Sequence, residues 1–243
     1  MYPIAARITT WPRLEISSGT IEAVKWLALV LMIGDHINKY LLNDTVACLY
    51  DAGRLTMPLF MFVLAYNLAR PGALERGAYR RTMARLAIFG ALASPAFLAL
   101  GGLVNGWWPL NILFTLFVLT ATVRLLEIGN LRGYLAAGLV FVLGGSSVEF
   151  WWPAVAFGVA IWSYTKQPSL PALVLAVASC AALGYINGNQ WALAALLILA
   201  GTPILNVSCP RVRWFFYAFY PVHLTLIWLA RIPLRHAGYL FFT

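Results

Sequence analysis

The chain is a succession of apolar runs with almost nothing between them: 24–42, 55–69, 83–103, 110–127, 133–147, 150–165, 170–186, 190–207 and 213–232. Each is bounded by Gly, Pro, Asn or charge. A transmembrane helix takes about 20 apolar residues, so runs of this length and number suit a bilayer. Only 10% of the residues are charged and the mean hydropathy is +0.80, whereas soluble domains carry about 25% charged residues. A soluble globular fold is excluded. The pattern predicts an all-α, polytopic integral membrane helical bundle with about 8–10 transmembrane helices. Residues 1–22 contain Arg7, Arg13, Glu15 and Glu22 and lack a continuous apolar core, so they read as a cytoplasmic or interfacial arm and not as a cleavable signal. Residues 23–243 then form a single bundle domain. The runs 133–147 and 150–165 are separated by little more than a turn, and each is short for a full crossing.

The formal net charge of +9 does not point to nucleic acid, because the loops leave no room for a basic face in water. It points to topology and to contact with lipid headgroups. Arg70, Arg76, Arg80, Arg81 and Arg85 cluster near one loop, Arg124 and Arg132 near another, then Lys166, then Arg211 and Arg213; the alternate loops carry no Lys or Arg. The positive-inside rule therefore places the N-terminus in the cytoplasm, with Arg231 and Arg235 a misfit at the far end. Cys48, Cys180 and Cys209 form neither a CxxC nor a zinc pattern, so no disulfide framework or metal site is expected.

Inside a membrane the informative residues are the ionisable ones, since a charge at the centre of a span costs at least about 2.5–3.5 kcal/mol. The first run holds Lys25, Asp35, His36, Asn38 and Lys39. Lys25 and His36 are eleven apart, almost three helical turns, which puts them on one face about 16 Å apart along the axis. An Asp35–Lys39 ion pair is the plain reading of that i,i+4 couple. Arg54 opens the second run just before Pro58, and either snorkels to the interface or serves a site. Arg80, Arg81 and Arg85 exceed what orientation needs, and a guanidinium pair matches a phosphate or pyrophosphate. Glu149, in the short joint between two apolar runs, is either an exposed loop acid or a functional one, and His223 lies half way along the last run. Asn111 and Thr115, one turn apart, suit hydrogen bonds to a neighbouring helix or to a ligand.

The runs KWLALVLMIGDHINKYLL and GRLTMPLFMFVLAYNLARPG, closed by FYPVHL, resemble the TraX family of conjugative-pilus proteins over most of the chain. The resemblance also extends distantly to the membrane acyltransferase-3 proteins, which share the basic-residue-to-His spacing of Lys25 and His36 and the late Tyr-x-x-His of Tyr220 and His223. What it implies is N-acetylation, from acetyl-CoA, of the α-amino group of a pilin subunit in the bacterial inner membrane, within a conjugation system whose membrane proteins are further candidate partners. His36, Asp35, Glu149 and His223 become the catalytic candidates. Lys25, Arg54, Arg80, Arg81 and Arg85 become those for acetyl-CoA, and Asn38, Asn111, Thr115 and Tyr220 those for the substrate. The alternatives are a non-acetylating step of pilin maturation, such as cyclisation or insertion, and a small transporter or proton relay.

Overall fold

The computed structural model describes residues 11–212 and 214–237; Arg7, the first ten residues of the arm and Arg213 lie outside the described residues. The described chain is all-helical, in the order α1 Ser18–Leu41, α2 Ala47–Gly53, α3 Thr56–Ala69, α4 Ala78–Ala99, α5 Ile112–Leu126, α6 Leu131–Ser147, α7 Trp151–Lys166, α8 Leu170–Asn187, a 3-10 turn Trp191–Leu193, α9 Ala194–Gly201 and α10 Phe215–His236. Each of the nine apolar runs carries one of these helices, and α2 is an element the runs did not announce. Among the described residues, four helical units are long and apolar enough to cross a membrane: Ala47–Ala69, which joins α2 to α3, then α4, α8 and α10. The other apolar helices are shorter, α5 and α6 among them. Helix α1 has the length, at 24 residues, but carries Glu22, Lys25, Asp35 and Lys39.

Helix boundaries follow local chemistry. Ser17 caps α1 by accepting from the Thr20 amide at 3.1 Å, and Asn111 and Asn130 cap α5 and α6 in the same way. Helix α1 stops where Asn43 and Asp44 take positive φ, a backbone region that short polar side chains tolerate.

The centre of the bundle is α3, whose Leu59, Met61 and Ala65 have no exposed surface. It packs on α1, α5 and α7, and α7 packs on α8 in turn. Gly158 on α7 lets α5 approach closely, since a Cβ there would run into the Leu119 isopropyl group. Helix α10 returns the chain to α4 and α1.

The contacts also sort the two ends of the bundle. Arg70 reaches Ser18, Tyr164 donates to the Pro12 carbonyl, Lys166 pairs with Glu127, and Arg85 lies over Trp214. The basic loops therefore meet at one end. At the other, Tyr50 donates to the Asn187 carbonyl, Asn189 donates to Asp51, and Leu110 bridges to Val148.

Candidate active site

The end opposite the basic loops encloses a cavity of about 270 Å³ whose wall includes Asp35, His36, Lys39, Arg54, Glu149 and Tyr220. Residues far apart in the chain meet there. The last turns of α1 supply Asp35, His36, Lys39 and Tyr40, and the break between α2 and α3 supplies Arg54. The start of α5 supplies Ile112, the joint between α6 and α7 supplies Glu149, and α10 supplies Tyr220.

Arg54 is not a snorkelling interface residue. Its guanidinium pairs with Asp35, both side chains being largely buried, and its Nε donates to the Tyr50 carbonyl at 3.1 Å. It lies 4.2 Å from the centre of the Tyr50 ring. The ion pair of Asp35 therefore goes across helices to Arg54, and not along α1 to Lys39 as the i,i+4 spacing suggested. The physical reason is Gly53. A Cβ at that position would sit inside the Asp35 carboxylate, so its absence lets α2 close onto α1 and bring the adjacent guanidinium to the acid.

His36 Nδ1 lies 2.6 Å from His223 Nε2, with the two rings parallel within 4°. His223 Nδ1 is 3.1 Å from the Phe219 carbonyl one turn earlier in α10. Lys25 lies over Phe216 of the same helix, 4.7 Å from the ring centre. The α1 face shared by Lys25 and His36 thus packs on α10 at both positions.

Glu149 is not a loop acid in free solvent. The joint is stapled to the start of α5, with the Glu149 amide donating to the Leu110 carbonyl at 2.9 Å and the Thr115 hydroxyl donating to the Glu149 carbonyl at 2.9 Å. The carboxylate accepts from the Ile112 amide. Burial pushes its pKa up to about 7, against the pull of Lys39 and of that amide.

The remaining candidates occupy other places. Thr115 acts on the site by holding the Glu149 backbone. Asn111, fully buried, caps α5 and donates to the Gly90 carbonyl at 2.9 Å. Asn38 accepts from the Val46 amide at 2.9 Å and so fixes the α1–α2 turn. Lys25 stands at the basic end, paired with the buried Glu22, which Arg211 approaches at 3.9 Å. Arg85 stacks 4.2 Å from Trp214, while Arg80 and Arg81 are exposed. None of these four cations reaches the cavity. A second, larger cleft of about 810 Å³ opens at their end, with Arg13, Arg70 and Lys166 in its wall.

Gly53, Tyr40 and Thr56 are among the cavity residues that the sequence alone did not single out. Gly53 and Tyr40 carry no signal in a single chain. The Thr56 hydroxyl is buried in the cavity wall and has no hydrogen-bond partner among the described residues; a Thr at a helix start ordinarily reads as a cap. Among the described residues no three His, Cys, Asp or Glu side chains converge as a metal site.

Comparison with known proteins bears on what such a cavity serves. The profile of the family described as TraX protein matches residues 20–231. The chain is 29% identical to Protein TraX of Escherichia coli, over 92% of its own length and 93% of that protein. It is 27% identical to Protein TraX of Escherichia coli strain K12, with the same coverage. It is 24% identical to the probable fimbrial assembly protein FimC, serogroup H1, of Dichelobacter nodosus, over 87% of this chain and 96% of that one. No solved structure matches it.

Proposed function

The chain belongs to the TraX family, and on that premise we propose that it is a membrane-embedded acetyltransferase that moves the acetyl group of acetyl-CoA onto the α-amino group of a pilin subunit during conjugative pilus assembly. The relatives named for TraX and for fimbrial assembly support the setting. The observation that carries the chemistry is the meeting, in one enclosed cavity, of His36 with the Asp35–Arg54 pair and Glu149.

An amine attacks a thioester only as the free base, and neutral imidazole is suited to take its proton near neutral pH. Glu149, poised near 7, receives the first proton of the incoming ammonium. The amine nitrogen then bonds to the thioester carbonyl carbon while His36 takes the second proton. As the tetrahedral intermediate collapses, the carbon–sulfur bond breaks and His36 returns that proton to the leaving sulfur. The products are the amide and free CoA thiol; His36 is regenerated, and Glu149 is regenerated when it releases the remaining proton to water. Arg54 is the cation at hand for the developing oxyanion.

Acetyl-CoA enters from the basic end, which on this reading faces the cytoplasm from the bacterial inner membrane. Lys25, Arg80, Arg81 and Arg85 supply cations for its phosphates there. About 16 Å of α1 separates Lys25 from His36, a distance within reach of an extended pantetheine arm. Partners on this reading are the pilin, surrounding lipid and other membrane proteins of the conjugation system.

The test is the intact mass of pilin after incubation with the protein in nanodiscs and acetyl-CoA. A gain of one acetyl group supports acetyl transfer. Loss of one water assigns cyclisation instead, and an unchanged mass removes both.

A further inference from the structure

Resting on that reading of His36 as the base, we propose that His223 is a positioning residue: it fixes the proton of His36 on Nδ1 and leaves Nε2 of His36 as the lone pair that works in the cavity. Hydrogen-bond bookkeeping along the contacts gives this assignment. The Phe219 carbonyl can only accept, so His223 Nδ1, 3.1 Å away, carries a hydrogen and donates it. A neutral imidazole has one N–H, which leaves Nε2 of His223 an acceptor. The atom 2.6 Å from it is His36 Nδ1, which must then be the donor. The single N–H of His36 is spent on that bond.

The opposite polarity requires a doubly protonated His223 in the resting protein. Its surroundings reject a charge. The side chain is 7% exposed and lies against the Phe219 and Tyr220 rings, 4.9 and 5.5 Å between centroids. No ion pair among the described residues involves either histidine. The i, i−4 spacing of His223 and Phe219 builds the anchor into α10 itself, since a carbonyl oxygen has a second lone pair beyond the one used by the helix.

The arrangement does two things. It stops the His36 ring from rotating or switching to the tautomer that would present an N–H to the amine. Once Nε2 takes a proton, the imidazolium keeps its Nδ1–H on His223, and that bond becomes charge-assisted and stronger.

Two measurements test the proposal. The chain has three histidines, His36, His223 and His236, so nitrogen chemical shifts of 15N-histidine-labelled protein in nanodiscs report each tautomer. The expected result is a protonated Nδ1 and a bare Nε2 on both His36 and His223; a proton on Nε2 of His36 overturns the assignment. In turnover, His223→Ala should lower kcat at least about tenfold while moving KM for acetyl-CoA by less than about twofold. His223→Gln, whose amide oxygen can replace Nε2 as acceptor, should recover most of the loss. An alanine variant as fast as wild type, a loss confined to KM, or no difference between the two variants overturns it. Should the wild type transfer no acetyl group, the proposed function falls while the tautomer measurement still decides this inference.

Discussion

Separating Asp35 from Arg54 gives the sharpest thermodynamic test of the cavity wall. The pair is largely buried, with side-chain exposures of 16% and 14%. Removing one partner of a buried ion pair costs about 3–5 kcal/mol, because the other charge is stranded. Here the stranded guanidinium of Asp35→Asn keeps two neighbours, the Tyr50 carbonyl at 3.1 Å and the Tyr50 ring at 4.2 Å. These bring the expected loss to or just below the bottom of that range, at about 2–3 kcal/mol. Arg54→Gln strands the carboxylate, with Lys39 as the remaining nearby cation, and should cost a similar amount. The double variant strands neither charge. It should be more stable than the summed single losses predict, by a coupling of about 1.5–3 kcal/mol. Reversible unfolding in mixed detergent, or thermal unfolding followed by intrinsic fluorescence, measures all four corners of the cycle. Losses that add within about 0.5 kcal/mol would show that the two residues do not act as a pair and would refute the reasoning.

Three further outcomes follow from the same wall. Gly53→Ala drives a methyl group into the Asp35 carboxylate, so it should destabilise by about 1–3 kcal/mol and also lower acetyl transfer; a neutral substitution there would contradict the close α1–α2 approach. Thr56→Val removes a buried hydroxyl that has no partner among the described residues, so unfolding should be unchanged or slightly favourable to the variant, and any loss should appear only in turnover. For Glu149, burial raises the pKa from 4.5 to about 7. Between those values the folded protein holds a proton that the unfolded chain has released, so this residue's contribution is most favourable at low pH and is lost as pH rises through 7. Glu149→Gln should flatten that part of the stability–pH curve, and an identical slope in the variant would count against a buried acid.

The sequence could announce Asp35, His36, Glu149 and His223 because each is an ionisable or polar group inside, or wedged between, apolar runs, where bare solvation cost demands a partner or a purpose. It could not announce who partners whom. The i,i+4 rule favoured Lys39 for Asp35, but helix-surface pairs contribute only about 0.2–0.5 kcal/mol, and tertiary closure through Gly53 overrode it. The same limit applies to Tyr40, which reads as an ordinary aromatic until the end of α1 is seen against the cavity. Helix α2 was hidden because its seven residues, ACLYDAG, are too short and mixed to show a period. The basic residues were legible as a group, and the structure divides them: Lys25 is already paired with Glu22, Arg85 lies on Trp214, and Arg80 and Arg81 stand free at the surface. Asn38 and Asn111 looked like candidates for a ligand because polarity in a span is costly. Both discharge that cost by closing backbone groups at helix ends.

On the proposed function, His36 is the base of an acetyl transfer carried out in this cavity. The most direct measurement is acetylation of pilin, read as intact mass over time, by wild type and by His36→Ala at matched amounts of folded protein in nanodiscs. The wild type should yield acetylated pilin, and the variant should do so at a rate reduced by at least about a hundredfold, with binding of pilin retained. Acetylation by His36→Ala at the wild-type rate would contradict it.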